Sequence, residues 1–252
     1  MKTISSMLLI AAAAALLTPG IPAYAANTDS LIVSSARQSY VFEVYLQDDD
    51  VRIESRNGAV TLTGIVYDDF HRSMAELTLR EIDGVMSVDN RLELRGAPPT
   101  ANSDAWLRNK VKNTLRFHRS ADSPMTEVDV KDGIVTLRGN ALSQAQKELI
   151  AEYTKDVDGV KDIRNEMTAL AAPEKTPRTT KEKIDDVSVS ALVRMALLLH
   201  RSTAGVYTAV AAKRGTVTVE GTARNTAERD LVTRLVKDVK GVKKVKNLMT
   251  IK

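Results

Sequence analysis

Three histidines, His71, His118 and His200, are the side chains of this chain best suited to acid–base or metal chemistry. His118 and His200 each begin a His-Arg-Ser tripeptide, and each lies fifteen residues before a glycine, Gly133 or Gly215. A metal or proton-transfer site needs partner residues at suitable spacing, and the sequence supplies none beside these histidines. We therefore interpret both as residues near the end of a helix, where a histidine cation interacts favourably with the helix dipole.

Residue types also argue against other kinds of catalytic or cofactor site. Cysteine is absent from the 252 residues, which excludes disulfides, thiolate metal sites and thiol nucleophiles. A glycine-rich loop followed by Lys and Ser or Thr, the motif that cradles phosphates, does not open any helical segment. The sequence therefore predicts a protein with no catalytic residues, no cofactor and no metal.

An internal repeat defines the elements that position these residues. Residues 58–64, 133–139 and 215–221 share one pattern of β-branched residues framed by glycines. The framing glycines are Gly58 and Gly64, Gly133 and Gly139, and Gly215 and Gly221. Twenty residues after each second glycine comes a Gly-Val pair, and six residues later comes an asparagine: Gly84 and Asn90, Gly159 and Asn165, Gly241 and Asn247. Identical spacing in all three copies indicates a triplicated module.

Periodicity and turn residues predict the order of elements within each module. The first helix is clearest in the third copy, where apolar positions from Val189 to Leu197 recur at three and four residues. Asn57, Asp132 and Arg214 each precede a framing glycine and predict an antiparallel hairpin turn. Cap residues then predict a second helix starting at Asp68, Ser143 and Asn225. We expect this helix to end at Gly84, Gly159 and Gly241, and a third strand to follow.

The predicted fold class is α+β, with three tandem αββαβ modules. Each module should have a three-stranded mixed sheet with two helices on one face, although the strand order is not fixed by the sequence. We assign all nine repeated glycines to structural turns and caps. The predicted domains are a signal peptide at 1–25, module 1 at 26–98, module 2 at 99–171, a linker at 172–185 and module 3 at 186–252. Each module has its own turns and apolar stripes, so we expect the modules to fold independently.

The N-terminus carries the features of a secretory signal. Lys2 precedes an apolar run at 7–17, and Ala23-Tyr24-Ala25 matches a cleavage site, so we expect cleavage near Ala25. The apolar run is about half of the roughly 20 residues that span a bilayer. No later segment is long and uncharged enough to do so, and we expect a mature chain without a transmembrane segment.

The repeated pattern resembles the BON (bacterial OsmY and nodulation) domain family. The resemblance rests on the G-x-V-T-L-x-G strand, the amphipathic helix after it and the closing V-x-G-V-x-x-V/I-x-N, and it covers nearly the whole chain after residue 30. Module 1 departs from the pattern at Met86 and in an acidic loop at 48–50. The resemblance implies an OsmY-like periplasmic protein of osmotic or envelope stress, whose domains attach to phospholipid surfaces.

Charge is distributed unevenly among the modules. Residues 26–98 hold 7 basic and 13 acidic side chains, residues 99–173 hold 11 of each, and residues 174–252 hold 17 and 8, so the net charges are −6, 0 and +9. On the second helix of module 3 the basic residues lie opposite the apolar stripe by helical angle. This set and its continuation are Arg229, Arg234, Lys237, Lys240, Lys243, Lys244 and Lys246.

These basic residues predict weak attraction to anionic phospholipid, worth about 1 kcal/mol per residue near the surface. A charge run can also be a solvated face without a partner. A second hypothesis is a holdase-like chaperone or an interaction factor for envelope proteins that uses apolar surface between modules. Nucleic acid is a poor candidate, because export removes it and no aromatic platform accompanies the basic face. Trp106 lies on the apolar face of a predicted helix and is assigned to the core or an interface.

Overall fold

The computed structural model describes residues 23–97, 99–123, 125–170, 183–204 and 208–252, and it shows three αββαβ modules. The predicted α+β fold of three repeated modules is confirmed. The signal segment up to residue 22 and the linker residues 171–182 lie outside the described residues. The domain boundaries and the cleavage site therefore stay predictions.

Module 1 has one element more than the repeat requires. In chain order it consists of α1 (Ala23–Arg37), a short π-helical turn (Val41–Tyr45), β1 (Asp50–Arg56), β2 (Ala59–Val66), α2 (Asp69–Arg80) and β3 (Ser87–Leu94). Tyr45 in the π-helical turn is buried and contacts the ring of Phe117 from module 2. The additional turn therefore connects module 1 to its neighbour.

Modules 2 and 3 have the same elements in the same order. Module 2 consists of α3 (Asp104–Phe117), β4 (Thr126–Lys131), β5 (Ile134–Ala141), α4 (Gln144–Lys155), β6 (Asp162–Asn165) and β7 (Thr168–Ala169). Module 3 consists of α5 (Asp186–Leu199), β8 (Thr208–Lys213), β9 (Thr216–Ala223), α6 (Thr226–Asp238), β10 (Lys244–Asn247) and β11 (Thr250–Ile251). In both modules the third strand is split into two segments.

The second strand lies at the centre of each sheet. In module 1 the order is β1-β2-β3, with β1 antiparallel and β3 parallel to β2. The same pairing recurs around β5 and β9. A hairpin makes the antiparallel pair, and a parallel neighbour needs a crossover, which the second helix provides. The structure thus supplies the strand order that the sequence left open.

The repeated glycines play three different backbone roles. Gly58, Gly133 and Gly215 have φ of +77, +81 and +75° in the hairpin turns, as predicted. Gly84, Gly159 and Gly241 also have positive φ. They do not end the second helices, however, because those helices stop at Arg80, Lys155 and Asp238. They lie in the turns that lead into the third strand, so their assignment as helix caps is wrong.

The other framing glycines, Gly64, Gly139 and Gly221, lie inside strands, so their assignment to turns or caps is also wrong. An added Cβ at Gly139 would stand 1.8 Å from the carbonyl oxygen of Met125, and at Gly64 it would stand 1.9 Å from that of Asp50. At these glycines the backbone at the start of the first strand lies too close to the second strand to leave room for a side chain. Glycine is required here by close backbone approach.

The modules bury shared surfaces. One continuous core joins modules 1 and 3 and includes Phe117 of module 2, while a second core belongs mainly to module 2. Arg194 of α5 pairs with Glu81 at 2.8 Å, and the Tyr40 amide donates to Asp185 at 2.7 Å. The modules are therefore joined by an apolar core and by polar contacts between side chains and backbone of different modules.

Modules 2 and 3 meet through a reciprocal contact. The Arg119 amide donates to the Asp238 carbonyl at 2.9 Å, and the Arg201 amide donates to the Asp156 carbonyl at 2.9 Å. Residues 119 and 201 are repeat equivalents, as are 156 and 238. Such a pattern is that of a two-fold, isologous interface. Among the helices of the described ranges, none is long and apolar enough to cross a membrane.

Candidate functional site: the basic surface of module 3

The basic surface combines one side of α6 with the start of β10. Val232, Leu235 and Val236 of α6 are buried, and Leu231 is half-buried, so the predicted apolar stripe faces the module's interior. Opposite this stripe and along β10 the exposed basic residues are Arg234, Lys237, Lys243, Lys244 and Lys246. Asn225 caps the helix by accepting the Glu228 amide at 2.9 Å, which fixes where the stripe begins. The structure therefore leaves five residues of the predicted basic set exposed, two on α6 and three in or just before β10.

Two of the predicted residues lie differently. The Nζ of Lys240 is 2.7 Å from the carboxylate of Asp122 in module 2, and its side chain is 20 % exposed. Its amide donates to the Phe117 carbonyl at 3.1 Å. The expectation that Lys240 faces solvent is therefore wrong, and Lys240 belongs to the interface with module 2. Arg229 is half-buried, with its Nε 3.8 Å from Asp230.

Sequence reasoning missed two members of the basic surface, Lys213 and Arg214. Both are exposed, Lys213 as the last residue of β8 and Arg214 in the hairpin turn that follows. The Gly215 carbonyl accepts the amides of Lys243 and Lys244 at 2.8 and 3.3 Å, which places the turn beside the start of β10. The sequence predicts the hairpin turn at Arg214, but only the structure shows that β10 begins beside this turn.

Acidic neighbours of the basic surface are engaged in contacts of their own. Glu228 accepts hydrogen bonds from Arg224 at 2.7 and 2.9 Å, and these bonds hold the pKa of its carboxyl below the usual value. Asp238 accepts from Ser120 Oγ at 2.6 Å and from Tyr153 Oη at 2.8 Å, so it points toward module 2. Both carboxylates are therefore committed to partners away from the exposed lysines.

The equivalent surfaces of the other modules are less basic. The module 2 counterparts of Arg214, Lys243, Lys244 and Lys246 are Asp132, Lys161, Asp162 and Arg164. In module 1 the same positions hold Asn57, Met86, Ser87 and Asp89. Because the three backbones follow one plan, the difference lies in the side chains alone. Module 3 is therefore the module specialised for positive charge.

The repeated asparagines fasten the third strand to the second helix. The Nδ2 of Asn247 donates to the Arg229 carbonyl at 2.9 Å, and its Oδ1 accepts the Met249 amide at 3.0 Å. Asn90 and Asn165 make the same pair of bonds in their modules. Both donor and acceptor of the amide are used, which explains why asparagine recurs at this position. In module 3 this contact fixes β10, which contains Lys244 and Lys246, beside α6.

Two of the three histidines, His118 and His200, lie at the interface between modules 2 and 3. His118 and His200 follow the last residues of α3 and α5, as expected, but they are only 2 % and 5 % exposed. Burial lowers the pKa of His118 to about 4 and also lowers that of His200. Both are neutral at pH 7, so the expected interaction of a histidine cation with the helix dipole is wrong.

A polar cleft of about 290 Å³ lies between modules 1 and 2. Its His71 contacts Asp49 through Nδ1 at 2.6 Å, and Asp68 caps α2 by accepting the Phe70 and His71 amides. These groups hold the loops that line the cleft. Trp106 lies nearby, 6.4 Å from Phe70 of module 1 between ring centroids, which agrees with a place at an interface. Across the described part of the chain, no group of three or more His, Asp or Glu is placed to hold a metal.

The chain is thus built from three copies of one small αββαβ domain, and each copy has the same hairpin and the same asparagine in its third strand. The BON domain model matches residues 28–96, 103–171 and 185–252, and the chain belongs to the BON-domain family. Osmotically-inducible protein Y of Escherichia coli (strain K12) is 27 % identical over 143 residues, covering 55 % of this chain and 71 % of that protein. The resemblance drawn from the sequence is thereby confirmed.

Two solved structures align over much of the chain with low similarity. A structure of CdsD, a structural protein of the type III secretion system of Chlamydia trachomatis, is 16 % identical, with a TM-score of 0.24 over 88 % of this chain and 92 % of that one. The PrgH periplasmic domain is 9 % identical, with a TM-score of 0.20 over 82 % and 97 % of the two chains.

Proposed function

We propose that this protein is a non-catalytic periplasmic protein that attaches to anionic phospholipid through the basic surface of module 3. The observation that carries the proposal is the exposed set at one end of that module: Lys213, Arg214, Arg234, Lys237, Lys243, Lys244 and Lys246. The name of the Escherichia coli relative supports a role in the response to osmotic change. The secretory features of the N-terminus support the compartment.

Energetics favour a reversible attachment. At about 1 kcal/mol for each basic residue near an anionic surface, several lysines and arginines suffice for salt-sensitive binding. The negative charge of residues 26–98 turns that part of the chain away from such a surface. Module 3 therefore faces the lipid and module 1 faces away from it.

Co-sedimentation with vesicles tests the proposal, and the repeat provides a matched control. Lys237 and Lys243 have module 2 equivalents 82 residues earlier, Lys155 and Lys161, and all four side chains are exposed. Losing two favourable contacts of about 1 kcal/mol each predicts that Lys237→Glu/Lys243→Glu weakens binding to anionic vesicles by about 30-fold or more at low salt. Lys155→Glu/Lys161→Glu should change it much less.

The pattern of outcomes separates the hypotheses. Equal losses in both double variants would show general electrostatic attraction without a site on module 3. Binding that is indifferent to salt and headgroup charge would contradict the proposal and favour the holdase-like alternative. That alternative requires apolar surface between modules, and the described structure buries such surface in its cores.

A further inference from the structure

The His-Arg-Ser tripeptides at 118–120 and 200–202 hold modules 2 and 3 together by reciprocal bonds. The Nη2 of Arg119 donates to three carbonyls of module 3, those of Lys237, Val239 and Val242, at 3.1, 3.3 and 2.9 Å. The Nη2 of Arg201 donates to the Val157 and Val160 carbonyls of module 2 at 3.3 and 2.9 Å. Each guanidinium therefore satisfies the backbone after the other module's second helix.

The imidazoles fill the space between these arginine contacts. His118 stacks on the Tyr153 ring, with centroids 3.9 Å apart and planes 15° apart. It also pairs through its backbone with Val239, as His200 does with Val157. The Nδ1 of His200 accepts the Ser202 amide at 3.1 Å, which places its proton on Nε2. A neutral imidazole fits this arrangement.

The charges around the imidazoles come from both modules. His118 Nδ1 lies 3.7 Å from Asp238, and His200 Nε2 lies 3.5 Å from Asp156. Burial opposes protonation of both imidazoles, and the two carboxylates favour it; His200 also opposes protonation of His118, and Arg201 opposes that of His200. The groups that face the pair are Asp156, Asp238, Arg119, Arg201, Tyr153, and the Lys240–Asp122 ion pair beside His118.

We propose that the paired His-Arg-Ser tripeptides form an acid-sensitive clasp, which joins modules 2 and 3 at neutral pH and releases them when the imidazoles are protonated. When both are protonated, His118 and His200 are two cations in one buried interface that also holds Arg119 and Arg201. Burial removes their hydration, and the neighbouring carboxylates do not fully compensate for that loss. Asp238 already accepts from Ser120 and Tyr153, which limits what it can offer His118. The clasp goes beyond lipid attachment and does not depend on it.

The direction of the pH dependence follows from the burial of the imidazoles. Burial lowers the pKa of His118 to about 4 in the closed form, from an ordinary value of about 6.5. The closed form therefore binds fewer protons than the open form between these values. The clasp is fully stable above about pH 6.5 and weakens as the pH falls toward 4. His118 alone should shift the ratio of closed to open forms about 70-fold toward the open form between about pH 7.5 and 4.5.

Opening would uncover a matched apolar surface on both modules. Phe117, Val157 and Val239 are fully buried when the clasp is closed. Modules 1 and 3 keep the rest of their common core, so module 2 is the part that moves, and it takes Phe117 out of that core and away from Tyr45. Acidification therefore converts a closed three-module protein into one with an exposed apolar surface.

A distance measurement on the full chain tests the clasp. The chain has no cysteine, so Glu127→Cys on β4 and Ala209→Cys on β8 give one unambiguous label pair at exposed equivalent positions. The inter-label distance should have a single narrow distribution at about pH 7.5, and should move to different, broader values by about pH 4.5. Far-ultraviolet circular dichroism should stay constant over this range, because each module keeps its own sheet.

Variants connect the transition to the two histidines. His118→Gln/His200→Gln has no imidazole in the clasp, so the same distance should be found at both pH values. His71→Gln in module 1 should open like the parent. Histidine ring NMR of the unsubstituted chain provides a check that needs no variant, since His118 should titrate together with the opening.

Three results would overturn the clasp. The first is a parent distance that does not change down to about pH 4.5. The second is a His118→Gln/His200→Gln variant that opens at the same pH as the parent. The third is loss of the circular dichroism signal together with the distance change, which would mean general acid unfolding.

Discussion

At the scale of single residues, backbone geometry explains the repeat better than side-chain chemistry does. Gly64, Gly139 and Gly221 stand inside strands with φ of +119, +102 and +145°. Gly221 does not end its strand, because β9 continues to Ala223. Glycine is needed at Gly64 and Gly139 because the backbone of the first strand occupies the space that a side chain would fill.

Gly139→Ala should destabilise the chain by at least about 1–3 kcal/mol, because a strained φ is combined with a backbone collision. Gly96→Ala is the matched control, with a positive φ of 77° and no atom within 4 Å of an added Cβ. It should cost only the left-handed backbone strain, about 1–2 kcal/mol. Urea unfolding of both variants measures the difference. Equal losses would show that the close approach of Met125 contributes nothing.

At the scale of elements, one aspartate ties each first helix to its hairpin. Asp104, in the first turn of α3, accepts the amides of Asp132 and Gly133 at 2.7 and 2.9 Å. Asp29 and Asp186 make the same bonds in modules 1 and 3. The carboxylate needs both oxygens for two adjacent amides. The contact sets the angle between helix and sheet in every module.

Asp104→Asn should loosen the turn between β4 and β5, since an amide side chain has one acceptor oxygen for two donors. Amide hydrogen exchange at Asp132 and Gly133 should become faster, while Asn57 and Gly58 in module 1 stay unchanged. Unchanged exchange at residues 132 and 133 would show that the carboxylate does not hold the turn.

The same contact gives a pH dependence. The turn amides hold the pKa of Asp104 below its ordinary value of 3.8. Its contribution to stability is therefore present above that value and is lost as the pH falls through the lower, folded-state pKa. Asp104→Asn should lose this part of the acid sensitivity. The measurement is the free energy of unfolding between about pH 5 and 2.

Turn and cap residues in the sequence predicted the elements of each module, but they could not predict contacts between modules. Hairpin turns at Asn57, Asp132 and Arg214 follow from the need for positive φ, which neighbouring residues reveal. The aspartate tie was visible as a carboxylate recurring 28 and 29 residues before the turn, but only the fold shows what it binds. The interfaces could not be predicted, because the partners of Arg119 and Lys240 lie in another module more than a hundred residues away.

At the scale of the whole molecule, α5 is a helix that contacts all three modules. It packs against α2 of module 1 and α3 of module 2 as well as its own sheet. Most of its residues are buried, including Val189, Leu192 and Met195. A helix that is apolar on nearly all sides requires neighbours on all sides. Module 3 is therefore stabilised by the rest of the chain.

A fragment of residues 183–252 should keep its sheet but unfold at a lower temperature than the full chain. A loss of only about 1 kcal/mol would lower the melting temperature by roughly 4–8 °C in a domain of this size. The exposed side of α5 should also bind an apolar dye. A fragment that melts with the full chain and binds no dye would instead support the independent folding expected from the sequence.

The proposed attachment to lipid depends on which end of the molecule meets the membrane, and amide NMR with spin-labelled anionic bicelles measures that contact directly. Signals of residues 213–215 and 243–246 should broaden first, and those of the module 2 equivalents, 131–133 and 161–164, should broaden much less. Salt should remove the effect. Broadening that is uniform over the three modules, or strongest in module 1, would contradict attachment through the basic surface of module 3.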